Sequence, residues 1–175
     1  MSSVSEAHKR RAPRKVSFAV ITCSTSRSGG VGGVGEPPDA SGDTIVKLME
    51  GGGNELAMRA LVPDDEAAIL EAVLDALKKA EVIIITGGTG ISKKDVTIES
   101  VSRLFEKELP GFGEIFRRLS FDRIGSPALL SRAVAGVRGG SAIFCLPGSP
   151  EAVRLAVEEL IIPESAHIVE HLKRG

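Results

Sequence analysis

The residues best equipped for chemistry lie in one stretch, Thr86-Gly87-Gly88-Thr89-Gly90, with Asp95 five positions beyond it. Glycine permits left-handed backbone and leaves no Cβ between main-chain N–H groups and a guest. Amides from such a turn, with the Thr89 hydroxyl, suit the oxygens of a phosphate. An acid beside such a turn either caps the next helix or holds a divalent cation. No Gly-Lys-Ser/Thr follows the glycines, so this is not a Walker loop, and the Gly-x-Gly-x-x-Gly spacing of dinucleotide folds is missing. Spacing alone leaves two readings open: a phosphate site, or a tight structural turn with a capping aspartate. Pro147-Gly148-Ser149-Pro150 forms a second strand–turn–helix mouth, where Pro150 suits the first helical turn and Ser149 suits a cap or a bound anion.

The elements that must position these groups follow from periodicity. Val82–Ile85 is a β-branched apolar run and reads as a short buried strand. A helical pattern follows from about Val96, with Ile98, Val101, Leu104 and Phe105 at helical spacing. Val16 to Ser24 reads as the first strand, and the polar Ser24-Thr25-Ser26-Arg27 at its carboxyl end is either a site rim or a turn. Residues 28–40 are glycine- and proline-rich and read as a flexible loop. Ser41-Gly42-Asp43 starts a helix that Gly51-Gly52-Gly53 ends. Leu56 to Val62 is the second strand, and Pro63-Asp64-Asp65-Glu66 opens a helix carrying Ile69, Leu70, Val73, Leu74 and Leu77. Asp64 and Asp65 serve as cap and first-turn acid, or one of them reaches the glycine turn. Pro110 and Gly111 are expected to end a helix, with another after Gly113 in which Arg117 and Arg118 follow Ile115 and Phe116. Pro127 to Leu130 looks like a helical turn. Ser131–Val137 and Ser141–Leu146 read as a hairpin around Arg138-Gly139-Gly140. A helix follows Pro150, and Pro163 starts a last one. The expected fold is a doubly wound α/β domain: a mostly parallel sheet with helices on both faces and one antiparallel hairpin strand. Both phosphate-compatible turns would then open at the carboxyl edge of that sheet.

With 175 residues, 42% of them hydrophobic and 26% charged, the chain has the composition of one soluble globular domain over residues 15–175. Residues 1–14 are a basic arm, flexible or packed on a neighbouring subunit. Residues 1–15 hold five basic residues and one acid, leaving 17 basic and 22 acidic residues beyond them, a net of −5. That balance, with no Trp and no Tyr, argues against nucleic acid as a partner. No apolar run reaches membrane-spanning length, and a cytoplasmic location is expected. Cys23 and Cys145 fall inside strands without metal-ligand spacing and read as free buried thiols.

Thr86-Gly87-Gly88-Thr89-Gly90 followed by Asp95-Val96-Thr97 resembles the signature of the MogA/MoaB family of molybdenum-cofactor biosynthesis proteins. Further words stand in family order: Asp39-x-Ser41-Gly42-Asp43, Pro110-Gly111-Phe112-Gly113-Glu114, Leu130-Ser131-Arg132 and Leu146-Pro147-Gly148-Ser149-Pro150. The resemblance runs from about Lys15 to about Glu170. It implies Mg-ATP-dependent adenylylation of molybdopterin, giving adenylyl-molybdopterin and pyrophosphate, in a molybdenum or tungsten pathway. It further implies assembly as trimers or hexamers and a partner protein for metal insertion. Carried onto this chain, Gly87, Gly88, Thr89 and Gly90 would supply amides and a hydroxyl to phosphate, with Thr97 closing the signature. Asp95 and Asp64 would be the catalytic acids and would bind Mg²⁺. Ser131, Arg132, Gly148, Ser149 and Pro150 would hold the pterin side. The chain departs from the family at Ser24-Thr25-Ser26-Arg27, where Ser-Asp-Ser/Thr-Arg is usual, so an acid is lost at Thr25. Three other readings compete: a non-catalytic molybdopterin carrier, a nucleotide-processing domain like those of competence-damage-type proteins, and an RNA- or membrane-binding arm.

Overall fold

The computed structural model describes residues 15–28 and 39–174. The expected basic arm and the glycine-rich loop around residues 29–35 lie outside these described residues.

The sheet has six strands: β1 (Ser17–Cys23), β2 (Glu55–Val62), β3 (Val82–Thr86), β4 (Lys107–Glu108), β5 (Val134–Arg138) and β6 (Ser141–Leu146). Their order is β2-β1-β3-β6-β5-β4. β1 is parallel to both β2 and β3, and β3 is parallel to β6. β5 runs against both of its neighbours, so it is the one reversed strand. The expected doubly wound, mostly parallel sheet with one antiparallel hairpin strand is what the chain forms.

Among the described residues, six helices of more than one turn flank the sheet: α1 (Ala40–Gly51), α2 (Glu66–Ala76), α3 (Thr97–Ser102), α4 (Pro110–Ile124), α5 (Pro150–Ala156) and α6 (Ile162–Arg174). A single helical turn spans Thr25–Ser28, and a 3₁₀ turn spans Ser126–Leu130. A two-residue period divides the interior between the faces of the sheet. Phe18, Val20, Val82, Ile84 and Phe144 meet Ile45, Met49, Phe116, Val153 and Ile161 on one face. Ala19, Ile21, Ile83, Ile85 and Ile143 meet Ile69, Val73, Ile98 and Val101 on the other. The β3 isoleucines are completely buried. Each such side chain contributes about 1.5–3 kcal/mol on leaving water, so this strand anchors both layers.

Register sets the site. Thr22 pairs with Thr86 and Thr86 with Leu146, so β1, β3 and β6 end side by side at one edge. The chain leaves that edge at Ser24, Gly87 and Pro147.

Several local expectations are corrected. α3 stops at Ser102. Phe105 instead turns its ring against β5, where a Cβ on Gly136 would lie 2.3 Å from a ring carbon. The edge strand Lys107–Glu108 was not legible, since two exposed charged residues carry no period. Pro110 does not end a helix; it occupies the first turn of α4, where its missing N–H needs no partner. Gly113 sits inside that helix, where a Cβ would lie 2.6 Å from the Ala133 carbonyl oxygen. The hairpin is tighter than expected, and Gly139 and Gly140 (φ 55° and 86°) both occupy left-handed backbone, as a type I′ turn requires. α5 and α6 are joined by a π-helical turn, Val157–Ile161, rather than a break before Pro163. Among the described residues, no helix is long and apolar enough to cross a membrane.

Candidate phosphate-binding cleft

β3 delivers the chain into a turn that only glycine can make. Gly87 and Gly88 have φ of 93° and 61°. A Cβ on Gly87 would lie 2.2 Å from the Cys23 carbonyl oxygen. On Gly88 it would lie 2.5 Å from Thr97 Oγ1 and 2.9 Å from Asp64 Oδ1, and on Gly90, 2.8 Å from Asp95 Oδ2. The turn thus threads between the end of β1 and two carboxylates, with no room for side chains.

Thr97 holds the turn from beneath. Its N–H donates to the Gly88 carbonyl (3.0 Å) and its hydroxyl to the Gly87 carbonyl (2.9 Å). It is fully buried, so its role in this structure is to shape the turn rather than to face the cleft. Two turn amides are spoken for: Gly87 N–H donates to the Leu146 carbonyl (3.2 Å), and the Gly90 N–H helps to lower the Asp95 pKa. Among the described residues the Gly88 and Thr89 amides have no partner, so they are open to a guest.

The two aspartates are held in different ways. Asp95 does not cap α3, whose N-cap is Val96 with no side-chain bond. It folds back to accept the Ser92 N–H at 2.8 Å. The Ser92 hydroxyl, above all, holds its carboxyl below the usual carboxylate range; burial opposes this, and the Ser92 and Gly90 amides and the Arg132 charge reinforce it. Asp65 caps α2 through the Ala68 N–H (3.0 Å), which frees Asp64. Asp64 Oδ2 accepts from the Thr25 N–H (2.8 Å) and the Thr25 hydroxyl (2.9 Å), and the same hydroxyl accepts from Asp64 N–H (3.1 Å). Thr25, at the position of the lost acid, therefore fixes the carboxylate that points Oδ1 toward Gly88.

Arg132 donates to the Gly90 carbonyl (2.8 Å) and pairs with Glu99, whose carboxyl it holds below the ordinary range. The Ser41 hydroxyl donates to the Gly148 carbonyl at 2.6 Å, and the Thr86 hydroxyl to the Pro147 carbonyl at 2.9 Å. Asp39 caps α1 through Gly42 N–H and accepts from Thr22 and Arg59. Burial raises the Asp39 pKa, but these bonds and the Arg59 charge outweigh it and leave it lowered. Sequence reasoning missed Glu99, Thr22 and Arg59. Their partners lie far along the chain, and no local pattern marks them.

Gly87, Gly88, Thr89, Gly90, Asp95, Ser131, Arg132 and Gly148 line one cleft of about 290 Å³, joined by Pro127, Leu130 and Pro147. Eight of the twelve residues singled out from sequence thus converge. The other four stand behind or beside the cleft. Asp64 backs Gly88, Thr97 supports the turn, Ser149 accepts the Ala152 N–H (3.2 Å) as the cap of α5, and Pro150 begins that helix. Among the described residues, no three His, Cys, Asp or Glu side chains converge as a ready-made metal site. Two carboxylates beside free amides do fit a hard cation that takes its other oxygens from phosphate and water.

A doubly wound sheet with this glycine turn defines a class, and the chain belongs to it: it matches the family of probable molybdopterin binding domains over residues 19–167, the MogA/MoaB family. Particular relatives are similar along nearly the whole chain. The molybdenum cofactor biosynthesis protein B of Bacillus cereus is 43% identical over 175 residues, covering 98% of this chain and 99% of that protein. A protein of Pyrococcus furiosus named molybdopterin adenylyltransferase is 40% identical, covering 96% and 98%. Among solved structures, a molybdenum cofactor biosynthesis protein B superposes with a TM-score of 0.85 at 41% identity, covering 94% of this chain and all of the other. The tungsten cofactor synthesizing protein MoaB of Pyrococcus furiosus gives 0.82 at 41% identity, covering 93% and 99%.

Proposed function

We propose that this chain is a molybdopterin adenylyltransferase of molybdenum or tungsten cofactor biosynthesis, with residues 15–175 as one molybdopterin-binding domain. The observation that carries the reading is the juxtaposition of the bare Gly87–Gly90 backbone with the Asp64 and Asp95 carboxylates. Family membership supports it. The terminal phosphate of molybdopterin attacks the α-phosphorus of ATP; the new P–O bond forms as the bond to pyrophosphate breaks. No protein nucleophile is needed, because the substrate phosphate is one, so positioning and charge neutralisation supply the catalysis.

Gly88 and Thr89 donate amides to the nucleotide phosphates, the turn being shaped by Gly87, Gly90 and Thr97. Asp64 and Asp95 are the residues that would hold Mg²⁺, which would supply charge neutralisation to the phosphates. Ser131, Arg132, Gly148, Ser149 and Pro150 receive the pterin phosphate and dithiolene side. For this Arg132 exchanges its Glu99 partner for the substrate, and Ser149 keeps a hydroxyl proton to donate while its oxygen caps α5.

The working unit is a trimer or a hexamer in the cytoplasm, handing its product to a metal-insertion partner. Exposed apolar side chains at Phe121, Ile124, Leu129 and Leu130, the last of which lines the cleft, support self-association.

The test is incubation with molybdopterin and Mg-ATP while pyrophosphate is followed. Release that depends on the pterin is expected. Tight pterin binding without it would leave a carrier, and pyrophosphate from nucleotide alone would point to nucleotide processing.

A further inference from the structure

α6 carries a feature unrelated to the cleft. His167 and His171 lie four residues apart on its exposed face, with their Nε2 atoms 2.9 Å apart. Glu164 Oε2 lies 3.3 Å from His167 Nδ1. A carboxylate oxygen only accepts, so this contact makes Nδ1 the protonated nitrogen and leaves the His167 Nε2 lone pair turned toward His171. A carboxylate behind a histidine in this way is the arrangement that orients an imidazole for a metal.

The ring geometry satisfies a bent N–H···N hydrogen bond and equally presets the two nitrogens for a chelate. The ring centroids are 4.6 Å apart, with planes inclined at 59°. A linear N–H···N bond of this length would set imidazole centroids about 5.2 Å apart. Two imidazoles on one metal at about 2.05 Å and a right angle would place their nitrogens about 2.9 Å and their centroids about 4.5 Å apart. A tetrahedral angle would spread the nitrogens to about 3.3 Å. Both observed separations match convergence at a right angle.

We infer that His167 and His171, with Glu164 orienting the former, form a chelating site for a late divalent transition metal that favours right-angled nitrogen donors, Cu²⁺ before Ni²⁺. Water completes the coordination, because no third His, Cys, Asp or Glu of the described residues joins the group. None of the three residues lines the cleft, so the site is separate from the proposed chemistry.

The experiment uses the full chain without a histidine tag, titrated with Cu²⁺, Ni²⁺ or Zn²⁺ alone in a non-chelating buffer. Heat and visible d–d absorption are the readouts. One equivalent of Cu²⁺ should bind with nitrogen-ligand absorption, Ni²⁺ and Zn²⁺ more weakly. His167→Ala and His171→Ala should each weaken Cu²⁺ binding at least tenfold, and Glu164→Gln several-fold. All of these variants keep His8, the remaining histidine, so binding by the arm appears as an unchanged background. Circular dichroism confirms that each variant is folded. Equal Cu²⁺ affinity in the His167→Ala/His171→Ala double variant, or no saturable Cu²⁺ binding by the native chain at about 100 μM, would overturn the site.

Discussion

Two neighbouring strands end in two turns that look alike in sequence and differ in kind. After β3, Gly87–Gly90 keeps two amides unused and is flanked by Asp64 and Asp95. After β6, Pro147–Pro150 spends its groups on structure: its carbonyls accept from Thr86 and Ser41, and Ser149 caps its own helix. A Cβ on Gly148 would come within 3.3 Å of Gly87 Cα, so the second turn buttresses the first. A glycine turn keeps bare amides only when neighbouring elements take over its structural work. Here Thr97, Leu146 and Cys23 do so. The second turn, proposed to meet the pterin, would meet it with groups that are already partly engaged.

The sharpest way to break the comparison is to add one methyl group to each turn. Gly87→Ala drives a Cβ into backbone at left-handed φ and should cost about 3–4 kcal/mol of unfolding free energy. Gly148→Ala should stay within about 1 kcal/mol, since the clash is mild and its φ is not left-handed. Urea unfolding measures both, and equal losses would refute the contrast. Next in size is Asp95→Ala, expected to lower pterin-dependent pyrophosphate release about 100-fold or more while costing about 1 kcal/mol of stability from its turn bonds. Turnover within tenfold of native would remove Asp95 from the proposed machinery.

A smaller effect tests the support behind Gly88. Thr25→Val removes a reciprocal hydroxyl pair and should reduce turnover about tenfold, with Mg²⁺ dependence shifted to higher concentration. An unchanged Mg²⁺ dependence would show that Asp64 does not need this anchor. The smallest effect is a titration. Because the Asp95 carboxyl is held below the unfolded value of about 3.9, the stability its bonds contribute is present above that pH and lost as pH falls through the lower folded value. Carbon-13 NMR of the Asp95 carboxyl should place its midpoint below 3.9; a midpoint above about 4.5 would contradict the bonding seen.

Much of this was legible along the chain because glycine and β-branched residues act locally. β3 and its turn follow from Val82–Ile85 and three glycines without reference to anything distant. The distinction between Asp64 and Asp65 was not local: both sit at a helix start, and Thr25, 39 residues away, holds the one that backs Gly88. Pro110-Gly111 was ambiguous because the same pair ends one helix as readily as it begins the next. The Arg132–Glu99 pair and the Asp39–Arg59 pair join segments that only the sheet's crossovers bring together.

The widened coil at Val157–Ile161 has a consequence for descent. A rod with one surplus residue per bulge can be lengthened or shortened by a single codon there without being cut in two. Val153 upstream and Val169 downstream both still face the interior across it. The terminal rod of this chain is therefore a place where inheritance can change length while the oily seam stays in phase.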